Sequence, residues 1–275
     1  GRVWVGSSAG VLVYDGGSLK TVPGLTIDGA VDARCFVENP KNREIWIGAR
    51  DGGLFRFENG GLERMPQSSK LEQSTLLSLR FGDRGELWIG TEERGLACLV
   101  NGKVTWVNPW AALGIRSIGC ILDDAIGNLW MGTQGGIVRV PKLALEQTVF
   151  EGASIDGIPF EILTTADGLI SRECTVGQQP SGQVGRDGKL WFATYRGAVQ
   201  VDPNRLEAVS APPSVWVEEL LADGRQLISP VEAGGIHTAS QVPVVVPAGT
   251  KRLELRLAAV SLANPEKERV RYRVE

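Results

Sequence analysis

Five copies of one short motif run through the 275-residue sequence, and each places a tryptophan two residues before a glycine or alanine. Successive tryptophans lie 42, 42, 42 and 61 residues apart, and every copy joins two short β-rich stretches through a small loop. A period of about 40–45 residues made of short strands is typical of a β-propeller, in which each repeat folds as one four-stranded blade. The repeated tryptophans are Trp4, Trp46, Trp88, Trp130 and Trp191.

The third repeat predicts the four strands of a blade, which we letter A to D. Residues 76–81, 86–89, 96–100 and 103–107 read as strands, and Asn101–Gly102 between the last two is a strong hairpin turn. One large tryptophan per repeat can fill the wedge between neighbouring blades, so we expect these side chains in the core rather than as carbohydrate platforms. The small residue that follows lets the next backbone come close; these residues are Gly6, Gly48, Gly90, Gly132 and Ala193.

The segment between Trp130 and Trp191, which is the long fourth step, and the C-terminal quarter of the sequence depart from the repeat. The step holds 19 residues beyond the usual 42, within 141–182, where 142–147 predicts one or two helical turns and the rest an ordered loop crossing between blades. We therefore expect a partial propeller over 1–206, a linker over 207–213 containing Ala211–Pro212–Pro213, and the start of an immunoglobulin-like β-sandwich over 214–275. His237, the only histidine, falls in a polar stretch and is expected at the surface.

Charge and cysteine usage exclude several kinds of partner. The net charge is −3 with both signs interspersed, which argues against a nucleic acid or an anionic membrane surface, and no apolar run is long enough to span a bilayer. Cys35, Cys98, Cys120 and Cys174 lack C-x-x-C spacing, so we expect no metal and no cofactor. Cys35, Ser78, Cys120 and Ser181 precede their tryptophans by ten or eleven residues, which favours packing positions over disulfides.

The repeats resemble the two-component regulator propeller family. The matching strings are DRGELWIGTEERGL (83–96) and DAIGNLWMGTQGGI (124–137), and residues 166–203 match the family's final-blade pattern. The tail, 246–275, resembles the opening of the three-tyrosine (Y_Y_Y) domain that follows such propellers. The resemblance implies the periplasmic sensor region of a bacterial hybrid histidine kinase, whose membrane helix and kinase lie downstream in the same polypeptide, and it allows a homodimer.

The chain departs from the family pattern, which is usually a seven-bladed ring. It holds five repeats, and the first lacks strand A. Either about two blades are missing or the ring closes with five; we favour missing blades, because nothing after Pro203 reads as a replacement strand A. Residues at two open edges should then be abnormally exposed and the isolated chain prone to aggregate.

One face of the propeller is the expected binding face. Strands alternate in direction, so B–C loops and the connections leading into strand A, including Arg34, emerge together. Arginine, carboxylate and tyrosine side chains around a channel suit a polar ligand such as an oligosaccharide, while the alternative is a solvated rim of local ion pairs. The candidate ligand-binding residues are Arg50, Asp51, Glu93, Arg94, Arg116, Gln134, Arg172, Tyr195 and Arg196.

The sequence contains little evidence of a catalytic site. Adjacent carboxylates such as Glu92–Glu93 diverge on a tight turn, unlike two carboxylates that flank a glycosidic bond. We therefore expect a ligand sensor without enzymatic activity of its own. The alternatives are a carbohydrate-active or lyase-type propeller enzyme and a protein-interaction scaffold.

Overall fold

The structure, a computed structural model, describes residues 2–8, 10–23, 31–71, 73–206, 215–228 and 245–259. The chain divides into two units, Gly1–Ser210 and Ala211–Glu275. The predicted linker and His237 lie outside the described residues. The described residues are all-β apart from one short α-helix and a few single helical turns.

The first unit consists of five antiparallel sheets that follow one another along the chain, which confirms the predicted propeller blades. In the described part of the chain, blades 2, 3 and 4 have four strands, and blades 1 and 5 have three. Blade 1 is β1 (Val3–Ser7), β2 (Gly10–Asp15) and β3 (Ser18–Thr21), and blade 2 is β4 (Ala33–Glu38), β5 (Ile45–Ala49), β6 (Leu54–Glu58) and β7 (Gly61–Arg64). Blade 3 is β8 (Leu76–Phe81), β9 (Leu87–Thr91), β10 (Leu96–Val100) and β11 (Lys103–Trp106). Blade 4 is β12 (Ile118–Asp123), β13 (Asn128–Thr133), β14 (Gly136–Pro141) and β15 (Glu161–Leu163), and blade 5 is β16 (Gly182–Val184), β17 (Leu190–Thr194) and β18 (Gly197–Val201).

The core is divided among the boundaries between blades. Four clusters of buried apolar side chains fill the boundaries 1/2, 2/3, 3/4 and 4/5. Along strand B, side chains alternate between the two neighbours, because successive residues of a strand point to opposite faces. In blade 2, for example, Ile47 packs toward blade 1 while Trp46 packs toward blade 3.

The tryptophans show this alternation, and one of them corrects our expectation. Trp88 and Trp130 are fully buried against the following blade, whereas Trp4 and Trp46 are half-buried there. Trp191 is 42% exposed, so the core prediction was wrong at this position. Its side of β17 faces away from blade 4, and no described blade covers it.

Both ends of the first unit therefore expose side chains that inner blades bury. Val3 and Val5 of β1 point away from blade 2 and are 56% and 41% exposed, as expected for an open edge. The buried equivalents of Val5 are Ile47, Ile89 and Met131. The number of blades in the parent protein stays a prediction.

Small residues of strand A join neighbouring blades. The thiol of Cys35 donates to the carbonyl of Leu76 (3.5 Å), and the hydroxyl of Ser78 donates to the carbonyl of Ile118 (3.0 Å). Ser181 donates to the carbonyl of Gly119 at 2.8 Å. All four cysteines are buried and free, which agrees with packing positions and with the absence of disulfides.

The long insertion contains an α-helix and a strand. The helix α1 covers Lys142–Glu146, as predicted for the start of the segment, and one π-helical turn follows it. Residues Glu161–Leu163, which we expected in a loop, form β15 and complete blade 4 by pairing with Ile137–Arg139. They form strand D, the fourth strand of a complete blade. In blade 4 about twenty residues separate strand C from strand D, whereas a short turn joins these two strands in blades 2 and 3.

The second unit is described by one antiparallel sheet. Its strand order is β20-β19-β21, where β19 is Val215–Ala222, β20 is Arg225–Ile228 and β21 is Leu253–Ala259. Asp223 at the β19–β20 turn accepts hydrogen bonds from the backbone of Lys251 and Arg252. The partner sheet of the predicted sandwich is not among the described strands, so the sandwich remains a prediction.

Candidate functional site

Backbone hydrogen bonds bring the B–C loops and the connections into strand A together on one face. In blades 2 and 3 the residue after strand B donates its N–H to the residue before strand A: Arg50 to Asp32 (3.1 Å) and Glu92 to Thr75 (3.0 Å). In blade 5 the N–H of Tyr195 donates to Glu173 (3.2 Å), which precedes an isolated bridge between Cys174 and Thr194. The N–H of Gly95 also donates to the carbonyl of Arg116 at 2.7 Å. We call this surface, with its predicted ligand-binding residues, the loop face.

The predicted residues do not converge on one point of the loop face. Arg50 and Asp51 lie in blade 2, where Asp51 takes a left-handed backbone conformation (φ 55°). The others lie around the boundary between blades 3 and 4 or on blade 5, and their side chains are exposed; these residues are Glu93, Arg94, Arg116, Gln134, Arg172, Tyr195 and Arg196. The three groups therefore form separate patches of the loop face.

Arg94 packs on its own blade. Its guanidinium lies 3.9 Å from the centre of the Trp106 ring, which belongs to the outermost strand β11. A cation over an indole face is stabilised by the ring's electron density. Arg94 therefore directs its charge toward the blade's outer strand, away from the innermost strands.

The best-formed charged group on the loop face is centred on Asp32, which we had not singled out. Its Oδ2 accepts from Arg34 Nη2 (2.7 Å) and from Arg50 Nε (2.8 Å). Burial raises the pKa of Asp32, but the two guanidinium hydrogen bonds outweigh it and hold the pKa below its usual value. Two guanidinium groups thus share one ionised carboxylate, and the Asp32–Arg34–Arg50 cluster carries one excess positive charge.

Arg34 also leaves a donor unused. Its Nε is buried and has no hydrogen-bond partner among the described residues. A buried donor without a partner costs free energy, roughly 1–3 kcal/mol. The Arg34 side chain as a whole is 27% exposed, and unlike Arg50 it lines the cleft described next, so it is the arginine of the cluster best placed to contact an anionic group there.

The cluster borders a cleft of about 830 Å³. One wall is β1 and the residues after it, the second is the beginning of β4, and the third is the loop Gly177–Pro180 from blade 5; the lining residues are Trp4, Val5, Gly6, Ser7, Ser8, Asp32, Ala33, Arg34, Phe36, Gly177, Gln178, Gln179 and Pro180. Its volume falls in the range of ligand pockets, about 300–1,000 Å³. Three blades contribute to it.

Gln179 fixes the third wall. Its side-chain Oε1 accepts from the N–H of Phe36 (2.6 Å), and its Nε2 donates to the carbonyl of Phe36 (2.7 Å). The amide thereby pairs with one residue of β4 as a neighbouring strand would. The loop predicted to cross between blades does so here, from blade 5 to blade 2.

The adjacent carboxylates of the blade 3 loop give a pH-dependent prediction. Burial and then the charge of Glu92 raise the pKa of Glu93. Because the unfolded chain lacks this shift, ionised Glu93 destabilises the folded state above the raised pKa, and the cost disappears as pH falls through it. Glu93→Gln should therefore raise the urea midpoint at pH 7 and lose this advantage at acidic pH; Glu92→Gln should do so more weakly. Equal effects of Glu93→Gln at all pH values would contradict this account.

Metal-binding and reactive thiol sites are not found in the described part of the chain. No group of three or more histidine, cysteine, aspartate or glutamate side chains could hold a metal ion there. Burial raises the pKa of Cys35 and Cys120 to about 12 and that of Cys174 to about 11, so these thiols stay protonated. No helix among the described residues is long and apolar enough to cross a membrane.

Comparison with known proteins identifies structural neighbours and no family. No protein-family model matches the sequence, and no curated protein matches it. Two structures of the extracellular domain of BT4673 from B. thetaiotaomicron share the fold. The one described as a one component system has a TM-score of 0.53 and 17% identity, covering 80% of this chain and 27% of that chain. The one described as a hybrid two component system has a TM-score of 0.51 and 19% identity, covering 77% and 27%. This chain thus spans about a quarter of its neighbours' length, and the likeness concerns the fold.

Proposed function

We propose that this chain is part of an extracytoplasmic sensor that binds an acidic ligand, such as an acidic oligosaccharide, on the loop face at the Asp32–Arg34–Arg50 cluster. The observation that carries the proposal is the excess positive charge of the cluster, together with the place of Arg34, whose side chain is 27% exposed, in the lining of the cleft. A guanidinium forms paired hydrogen bonds with a carboxylate, and bonds to charged groups are the stronger kind. Trp4 on the facing wall of the cleft adds an aromatic surface beside the charged rim.

The fold supports the sensing part of this proposal. The structural neighbours are extracellular domains of proteins described as one component or hybrid two component systems. By analogy, the longer protein would be anchored in a bacterial membrane and would pass its signal to a kinase in the same polypeptide, with or without forming a homodimer. A ligand can shift such a receptor between two states only as far as its affinity for them differs. No catalytic role is proposed for the loop face.

The preference of the site for an acidic ligand is tested by comparing one sugar with and without its charge. Tetragalacturonate should bind the chain in calorimetric titration, whereas its methyl ester, which keeps the sugar and removes the charge, should bind at least tenfold more weakly. Arg34→Gln should weaken tetragalacturonate binding by about tenfold or more, because a hydrogen bond to a charged group contributes about 1.5–3 kcal/mol. Arg64→Gln on the outer strand β7 is the control and should leave the affinity unchanged.

Two results would contradict the site. Equal affinity for the acid and its ester would show that the charge of the cluster is not used. Unchanged affinity in Arg34→Gln would place the binding of an acidic sugar elsewhere on the molecule.

A further inference from the structure

Two of the four cysteines meet at the boundary between blades 4 and 5. Cys120 of β12 and Cys174, which leads into blade 5, belong to the same cluster of buried side chains. The point where a Cβ on Gly132 would lie is 2.8 Å from the sulfur of Cys120 and 3.4 Å from the Cβ of Cys174. Both side chains therefore approach the same small space beside Gly132, one from each blade.

The strand register explains why these two side chains meet. Strand A begins opposite the threonine that ends strand B, as Ile118 does opposite Thr133 in blade 4. Leu76 is the equivalent residue of blade 3. In blade 5 an isolated bridge joins Cys174 to Thr194 at the end of β17. Relative to strand B, Cys174 therefore has the place that Leu76 and Ile118 have in their blades.

This place contacts the preceding blade at the two earlier boundaries. The sulfur of Cys35 lies 3.5 Å from the carbonyl oxygen of Leu76, and the hydroxyl of Ser78 lies 3.0 Å from that of Ile118. Cys120 is the residue of blade 4 that corresponds to Cys35 and Ser78, because each of them lies opposite the glycine of strand B. At the boundary between blades 4 and 5, cysteine thus stands at both of the contacting positions.

The backbones of the two segments also lie close together. A Cβ on Gly119 would lie 2.6 Å from the carbonyl oxygen of Thr175 and 3.0 Å from the Cα of Val176. The N–H of Cys174 donates to the carbonyl of Thr133 at 2.9 Å, which ties its segment to blade 4. A disulfide usually joins Cα atoms about 4.4–6.8 Å apart, so it needs two backbones that approach as these do.

We propose that Cys120 and Cys174 form a disulfide that joins blade 4 to blade 5. The structure holds the pair in its reduced form, and the oxidant is another disulfide. The thiolate of one cysteine attacks the oxidant and releases its first sulfur, and the second cysteine then attacks the mixed disulfide and releases the other. The two protons and two electrons of the protein thiols pass to the oxidant, which leaves as two thiols.

The bond should form while the chain folds. Disulfides persist in oxidising compartments, which suits the extracytoplasmic location that rests on the proposed function. Burial raises the pKa of Cys120 to about 12 and that of Cys174 to about 11, and the attacking species is the thiolate. Oxidation is therefore slow in the folded chain and faster while these thiols are exposed. Cys35 and Cys98 lie in two other buried clusters and should remain thiols.

Refolding of the full chain in a glutathione redox buffer tests the proposal. The reduced, urea-unfolded chain is refolded with oxidised and reduced glutathione, and its remaining thiols are alkylated in urea. Mass spectrometry should find two alkyl groups, on Cys35 and Cys98, and one cross-linked pair of peptides that contains Cys120 and Cys174. The cross-linked chain should melt about 5–10 °C higher than the same chain after reduction, because the bond restricts the unfolded chain. Cys120→Ser should lose both the cross-link and this difference.

A second pair tests the geometry at another boundary. Leu76→Cys puts a thiol in the equivalent place opposite Cys35, between blades 2 and 3, and should give a second disulfide on refolding. Leu99→Cys is the matched control, since Leu99 is buried in the same cluster as Cys35 but lies on strand C, and it should give none.

Three results would overturn the proposal. They are alkylation of all four cysteines after refolding, a disulfide between any other pair, and a cross-linked chain that melts below the reduced one. Because the oxidant is added, the result depends neither on where the protein resides nor on its ligand. Arg34→Gln should leave the cross-link unchanged, so failure here is distinguishable from failure of the proposed function.

Discussion

Trp88→Ala is expected to lower the free energy of unfolding by about 3–5 kcal/mol, the usual loss for removing a fully buried large aromatic side chain. Trp88 is completely buried in the cluster between blades 3 and 4, beside Leu129 and Met131 of β13. Its indole N–H donates to the buried carboxylate of Glu86 (3.3 Å), which the substitution leaves with one partner fewer. A cavity and an orphaned acceptor are produced together.

Trp191→Ala is the matched control, because the same position of the same motif is 42% exposed. Surface substitutions away from special features usually change stability by no more than about 0.5 kcal/mol, so the expected loss is several-fold smaller than for Trp88→Ala. Denaturant midpoints of the two variants and of the unmodified chain make the comparison. Equal losses would mean that Trp191 is covered after all and that our description of the open edge of blade 5 is wrong.

Trp88 and Trp191 together show what a repeat in the sequence can and cannot predict. The repeated motif predicted five blades and most of their strands, because a blade with neighbours on both sides must bury the same large side chain beside the same small one. The strands of blade 3 were predicted to within two residues, since Gly85 and the Asn101–Gly102 turn mark their ends. The motif could not reveal that Trp191 lacks a covering neighbour in the described structure, since exposure depends on what packs beyond the repeat.

The candidate site was only partly predictable for a related reason. The loop face follows from strand direction alone, and Arg50, predicted from it as a ligand-binding residue, lies in a charged group with Asp32; its binding role stays a prediction. Asp32 was missed because its role depends on two arginines, one of them 18 residues later in the chain. Gln179 contacts Phe36 across 143 residues, and no local pattern signals a contact between blades that are distant in sequence. The sequence did contain one signal for Asp32. It places a carboxylate directly before strand A, at a position that is uncharged in blades 3 and 4.

Gly90→Ala is the second substitution with a large expected effect, although it adds a single methyl group. A Cβ at this position would lie 2.2 Å from the Ser78 hydroxyl and 2.6 Å from the carbonyl of Ile118 in the next blade. Because one of these atoms is backbone, a rotamer change cannot relieve the contact, and blades 3 and 4 must move apart. Overpacking of this kind costs about 1–3 kcal/mol, occasionally more.

Gly61→Ala on the outer strand β7 is the control for Gly90→Ala, since its Cβ would meet only the Pro23 carbonyl at an ordinary 3.4 Å. It should leave the denaturant midpoint unchanged or raise it slightly, because alanine restricts the unfolded chain more than glycine does. Adding Ser78→Ala to Gly90→Ala should recover only part of the loss, because the contact with the Ile118 carbonyl remains. The same reasoning explains why blade 5 has Ala193 where the other blades have glycine. No described blade approaches that face of β17, so there is room for the methyl group. Gly90→Ala as stable as Gly61→Ala would show that the small residue after each tryptophan is not required for close packing of the blades.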